Sequence, residues 1–204
     1  MKKILALLIT ASLLLFTMGN VCASSDYAEE LLSALSIMQG DPNGNMRYDD
    51  KVSRAESAKI VVATSTYRDF IDKEGASSPF LDVPYTHWAS HYISVGVKNG
   101  LFKGYFDATF RPSNTVLFEE ATVMFLRVLG YNDEDFGNDW PYDQIEIAKK
   151  IGLLNNVGKT IGQELTRRDI STLAYNTLMS NPKGADVTHL SAFNKIVGPK
   201  TVLS

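Results

Sequence analysis

The sequence predicts a mostly α-helical fold assembled from three helix–loop–helix units, and three observations carry that expectation. The segment Gly40-Asp41-Pro42-Asn43-Gly44-Asn45-Met46-Arg47 aligns without gaps on Gly104-Tyr105-Phe106-Asp107-Ala108-Thr109-Phe110-Arg111, an offset of 64. Apolar residues recur at helical spacing on both sides of these Gly-containing loops. Ser53-Arg54-Ala55-Glu56 and Thr166-Arg167-Arg168-Asp169 have the spacing of a capping box, in which a hydroxyl and a carboxylate pair with the free backbone donors of a helix start.

The elements follow in order. Residues 1–23 read as a secretory signal peptide: Lys2 and Lys3 precede the apolar run Ile4 to Phe16, and Val21-Cys22-Ala23 offers small residues for cleavage. Gly19-Asn20-Val21 before Cys22 departs from the leucine-small-small pattern of a lipid-attachment site. Cys22 is the one cysteine, so cleavage after Ala23 leaves no disulfide and the exported chain must rely on its apolar core or on partners. Loss of Lys2 and Lys3 moves the net charge from −3 to −5, which argues against nucleic acid as a partner because that role needs a concentrated basic face. After the leader no apolar run reaches the ~18 residues of a spanning helix, so no membrane attachment is expected once it is removed.

Unit one occupies 24–74 and opens directly on the amphipathic stretch Tyr27-Ala28-Glu29-Glu30-Leu31-Leu32. Unit two, 75–131, opens on the extended Phe80-Leu81-Asp82-Val83-Pro84, continues into a helical pattern headed by His87-Trp88-Ala89, passes a Gly-rich hairpin-like loop and enters a second helix near Phe118. The offset of 64 also superposes Val52-Ser53-Arg54-Ala55-Glu56 on Val116-Leu117-Phe118-Glu119-Glu120. Unit three, 132–180, begins its helical text at Trp140-Pro141-Tyr142, has a shorter loop, and ends with Thr166 to Met179. Linkers fall at Asp72–Ser78 and Asn132–Asp139. The tail, 181–204, has no helical period, and Asn194 to Val202 is its strand candidate. Small helical units of this size cannot bury an apolar face alone, so the three should pack around a shared core.

In unit two the elements FLDVP, HWA, GYFDATFRP and the closing LGY stand in order, and this text resembles the S-layer homology (SLH) repeat. The resemblance spans roughly Tyr27 to Ser180. It implies a pseudo-threefold arrangement, one helix of each repeat joining a central helical bundle, with grooves between neighbours. It also implies non-covalent anchoring to the bacterial cell wall through an anionic, pyruvylated secondary cell-wall polysaccharide, without catalysis or cofactor.

Ser53, Glu56 and Thr166 read as helix starters, with Asp169 the shorter and poorer match to Glu56. Arg54 and Arg167 are unexpected there. A cation in the first helical turn opposes the macrodipole and costs roughly 0.3–1 kcal/mol. Helix starts favour anions through unpaired N–H groups, and a guanidinium adds a bidentate donor for carboxylate or phosphate, so the pair predicts an anion pocket. The resemblance assigns sugar contact to Arg54 and, less fully, Arg167. Repeat two has Leu117 and Phe118 in these places, so one groove is weakened. Trp88 offers a face for a sugar ring or for the core. Asp82 pairs with loop backbone or ligand, Gly104 and Gly40 supply turn conformations, and Arg47 and Arg111 occupy equivalent loop positions for a second anionic contact.

Other chemistries fit poorly. The loop from Asp41 spaces its oxygens like a calcium site, but Met46 replaces the required Gly and Val52 the closing Glu. His87 and His91 lie four apart, with Trp88 where a zinc protease needs Glu. Glu119-Glu120 and Asp133-Glu134-Asp135 read as solvated surface rather than as paired carboxylates of a glycosidase. The rival readings are a self-associating surface-layer component, a chain that captures a protein partner, and a wall-glycan hydrolase.

Overall fold

The structure is a computed structural model and describes residues 27–71 and 80–191. The leader, the 72–78 linker and the 194–202 strand candidate lie outside those residues. Among the described residues the α-helices follow in order: α1 over 27–34, α2 Arg54–Thr64, α3 Ser90–Lys98, α4 Phe118–Val128, α5 Tyr142–Lys150 and α6 Arg167–Met179, with 189–191 helical as well. A short 3-10 turn, Arg68–Phe70, follows α2. Among the described residues there is no strand, so the protein is mostly helical as its sequence predicts.

Each of α2, α4 and α6 packs against the other two, while α3 lies on α2 and α5 on α4. Nine of the eleven residues of α2 are buried, as expected of a helix surrounded by others. The capping boxes are formed. Ser53 N donates to Glu56 Oε2 at 2.9 Å while Glu56 N donates to Ser53 Oγ at 3.2 Å. Asp169 reaches back as well as the longer Glu56 does, with Thr166 N donating to its Oδ2 at 2.8 Å. At α4 the side chain of the N-cap residue Leu117 has no acceptor to offer, and Glu120 alone caps, taking Leu117 N at 3.0 Å.

The three segments that lead into the central helices meet in a ring. Val52 N donates to Leu165 O at 3.0 Å, Leu165 N to Val116 O at 3.1 Å, and Val116 N to Val52 O at 3.1 Å. All three side chains are fully buried. Outside the ring, helix-start donors reach into the loop of the adjoining unit: Arg54 N to Asn114 O, Phe118 N to Gln163 O, and Arg167 N to Asp50 O, at 2.8–2.9 Å. These are the donors that a helix cannot satisfy by itself.

The loops of units one and two repeat the same backbone turn bonds. Asp41 N donates to Asn45 O and Gly44 N to Asp41 O, matched 64 residues later by Tyr105 N to Thr109 O and Ala108 N to Tyr105 O. Arg47 and Arg111, the final residues of these loops, both sit in the left-handed region, at φ 52° and 58°. Asp82 binds the second loop to the extended segment, accepting from Phe110 N at 2.8 Å and Arg111 N at 2.7 Å.

At the opposite end of the bundle the chain beyond α6 turns back across the helix ends. Lys183 N donates to Leu129 O at 2.8 Å, and the His189 ring Nε2 lies 2.8 Å from Thr64 O. His189 is buried, and burial holds its pKa below the ordinary histidine value of 6.5.

Two predictions follow from this packing. A Cβ on Gly96 would lie 2.0 Å from Phe102 Cζ, so Gly96→Ala should lower stability in denaturant titration by about 1–3 kcal/mol through overpacking, whereas Gly158→Ala, which meets nothing within 4 Å, should not. Because folded His189 binds fewer protons than the unfolded residue, stability should fall as pH drops through about 6.5 and level off below the depressed folded pKa. Thermal unfolding at pH 7.5 and pH 5 should show that drop, and His189→Gln should flatten it.

Candidate functional site

Arg54 is the first residue of α2, and its side chain enters the loop of unit two rather than solvent. Its Nε donates to Phe110 O at 2.9 Å, Nη2 to Lys103 O at 3.4 Å and Nη1 to Glu120 Oε1 at 3.0 Å. The guanidinium also lies 4.8 Å from the ring centres of Tyr105 and Phe110. Only 4% of the side chain is exposed. Tyr105 donates its hydroxyl to the same Glu120 oxygen at 2.8 Å, and burial followed by that bond raises the phenol pKa.

Arg167, first in α6, repeats this arrangement in unit one. Its Nε donates to Met46 O at 2.8 Å, Nη2 to Gln39 O at 3.0 Å and Nη1 to Glu56 Oε1 at 3.2 Å. Gln39, Met46 and Glu56 are the residues 64 positions before Lys103, Phe110 and Glu120. Glu56 and Glu120 each serve two helices, with Oε2 capping their own and Oε1 holding the arginine of the adjoining unit.

Beside each pair lies a groove. The Arg167 groove, of about 200 Å³, is lined by Gln39, Glu56, Lys59, Ile60 and Trp88 among others. The Arg54 groove, of about 220 Å³, is lined by Lys103, Gly104, Glu120, Arg127 and Trp140 among others. Trp88 and Trp140 are each 54% exposed, so both rings remain available at the rims. Lining cations outnumber lining acids in both grooves: Arg167 and Lys59 against Glu56, and Arg54, Lys103 and Arg127 against Glu120. That surplus stands out on a chain whose net charge is −3.

The sequence-selected residues divide accordingly. Arg54, Arg167, Glu56, Trp88 and Gly104 line grooves. A Cβ on Gly104 would fall 2.0 Å from Phe80 Cε1, so this position is glycine for close approach. Trp88 precedes α3 instead of heading it, Ala89 being the N-terminal cap residue. Ser53 and Thr166 are tied into their capping boxes, and Asp82 into the loop backbone. Arg111 pairs with Asp107 at 3.0 Å and lies over the Tyr105 ring, while Arg47 donates to Asp50 at 2.7 Å.

Helix-start N–H groups, expected to face an anion, are committed to loop carbonyls and capping oxygens instead, so positive potential in the grooves comes from side chains. At the third junction Phe118 stands in the arginine's place, 3% exposed, and Glu119 accepts from Gly162 N at 2.9 Å. In the acidic loop Asp133 pairs with Lys103 and Arg127, and Asp135 with Lys183. Among the described residues no group of three or more His, Cys, Asp or Glu is placed to hold a metal, and no helix is long and apolar enough to cross a membrane.

Sequence reasoning missed Lys59, Lys103, Glu120, Arg127 and Trp140. The offset of 64 carries Glu56 to Glu120 and would have found it. Trp140 required knowing that the residues before α5 approach unit two.

The S-layer homology domain family matches residues 23–58 and 79–122. Similar proteins include the middle cell wall protein of Brevibacillus brevis, 29% identical over 162 residues that cover 79% of this chain and 15% of that protein. The cell surface protein of Thermoanaerobacter kivui is 27% identical over 186 residues, 85% of this chain and 24% of that protein. A cellulosome-anchoring protein of Acetivibrio thermocellus is 32% identical over 109 residues, half of this chain and 23% of that protein. The chain thus spans a quarter or less of the length of these relatives. With the family's text in two stretches, the helical architecture around them and relatives of this kind, the chain carries S-layer homology domain sequence over residues 23–58 and 79–122 and is a protein of the cell surface.

Proposed function

We propose that the protein anchors non-covalently to the cell wall, binding an anionic secondary cell-wall polysaccharide in the Arg54 and Arg167 grooves. The single observation that carries this reading is the duplicated groove: a cation surplus, an interlocked arginine and glutamate, and a half-exposed tryptophan at the rim, built twice on an acidic chain. Lys59 in one groove, and Lys103 with Arg127 in the other, meet a carboxylate such as a pyruvyl group. Trp88 and Trp140 cover the apolar face of the sugar ring. Arg54 and Arg167 hold the groove walls in place and add charge from behind. The reading is non-catalytic, and relatives named for walls, surfaces and anchoring support it.

Residues 132–180 form a third repeat in this reading, and the three repeats stand in a pseudo-threefold arrangement. The closed ring of Val52, Leu165 and Val116 supports both statements. Its junction with unit two has Phe118 where the others have arginine, which leaves two anion-binding grooves.

Sedimentation with purified cell walls tests the proposal. The double variant Trp88→Ala, Trp140→Ala should lose at least tenfold in wall affinity, with Lys149→Ala, exposed on α5, as the unaffected control. Binding should weaken as salt screens the groove cations and vanish on walls stripped of their non-peptidoglycan polymer. Undiminished binding to stripped walls would refute it.

A further inference from the structure

The two grooves share one plan, but their cations are not placed alike. In the Arg54 groove Lys103 and Arg127 converge on a single carboxylate: Lys103 Nζ donates to Asp133 Oδ2 at 2.5 Å and Arg127 Nη2 to Asp133 Oδ1 at 2.6 Å. Each cation holds a different oxygen, so the spacing of the pair is that of a carboxylate seat. In register 64 residues earlier stand Gln39 and Ala63, so the Arg167 groove has no such seat.

Asp133 reaches the seat from the loop that joins units two and three. The turn that carries it is held by other bonds: Asp135 N donates to Asn132 O at 3.0 Å, Asn132 N to Asp135 Oδ2 at 2.8 Å, and Asp135 pairs with Lys183. The turn therefore does not depend on where the Asp133 side chain points. That side chain is 60% exposed and its Lys103 partner 66%. Ion pairs between exposed groups hold weakly and are screened by salt, so this carboxylate can be exchanged for another.

We infer that Asp133 is a built-in competitor for the seat formed by Lys103 and Arg127, an internal stand-in that the carboxylate of an acidic ligand displaces on entering the Arg54 groove. The inference rests on the reading of that groove as anion-binding. In the exchange one carboxylate replaces another on the same two donors, and neither cation is left without a partner. An uncharged sugar offers no such replacement, so Asp133 sets the groove against neutral ligands. Hydrogen bonds from Lys103 and then Arg127 hold the Asp133 carboxyl below the usual carboxylate range, which keeps the competitor ionised.

The test titrates isotope-labelled full chain with pyruvate, a small carboxylate, at low ionic strength, and follows the amides of Lys103, Arg127 and Asp133. Asp133→Asn keeps the side chain's shape and removes its charge, and should bind pyruvate at least roughly threefold more tightly than the wild type. Glu134→Gln removes the same charge from an exposed neighbour in the loop and should bind as the wild type does, which separates competition from the general field. Adding Arg127→Gln to Asp133→Asn should abolish the gain. Equal affinity in the wild type and Asp133→Asn, an equal gain in Glu134→Gln, or no saturable shift in Asp133→Asn would each overturn the inference. Sedimentation of the same proteins with cell walls is read separately. A wild type that fails to bind walls sinks the anchoring reading whatever pyruvate does, whereas intact wall binding without the Asp133→Asn gain sinks the competitor alone.

Discussion

The closed ring of backbone hydrogen bonds joining Val52, Leu165 and Val116 is the constraint on which the rest of the structure depends. A helix leaves its first N–H groups without partners, and a capping box satisfies only some of them. Here the remaining donors at Arg54, Phe118 and Arg167 find carbonyls in the loop of an adjoining unit. No central helix start is complete within its own unit, so each has its donors satisfied only when the units are packed together. The return of the chain through Lys183 and His189 ties the far ends of α4 and α2 in a complementary way.

From that ring the grooves follow. Placing the first residue of α2 and α6 against a neighbour's loop gives Arg54 and Arg167 a backbone carbonyl for Nε and a glutamate for Nη1, which offsets the unfavourable position of a cation in a first helical turn. Glu56 and Glu120 are shared between a cap and an ion pair, so the same carboxylate fixes a helix start and a groove wall. What faces the groove beyond that pair is cationic and aromatic. The interlock is structural, and of the cations around it Lys103 and Arg127 share the single carboxylate of Asp133.

Repetition makes departures readable. Where unit two has Lys103 and Arg127, unit one has Gln39 and Ala63. Where two junctions carry arginine, the third carries buried Phe118. Each difference changes local chemistry while leaving the ring intact, because the ring is made of main-chain atoms and tolerates changes in the side chains around it.

Sequence by itself determined the helical class, the register of the two loops and the positions of the helix starts, since these rest on local periodicity, turn chemistry and capping, all of which act over a few residues. It also singled out Arg54 and Arg167 as residues in the wrong place for helix stability alone. Only the tertiary structure decided what those arginines touch, because their partners lie 49–66 and 111–128 residues away in sequence. It likewise decided that the helix-start donors face carbonyls instead of an anion, and that Trp140 and Arg127 meet Arg54 in one groove. Contacts between units are set by how whole helices pack, and no local pattern of residues encodes them.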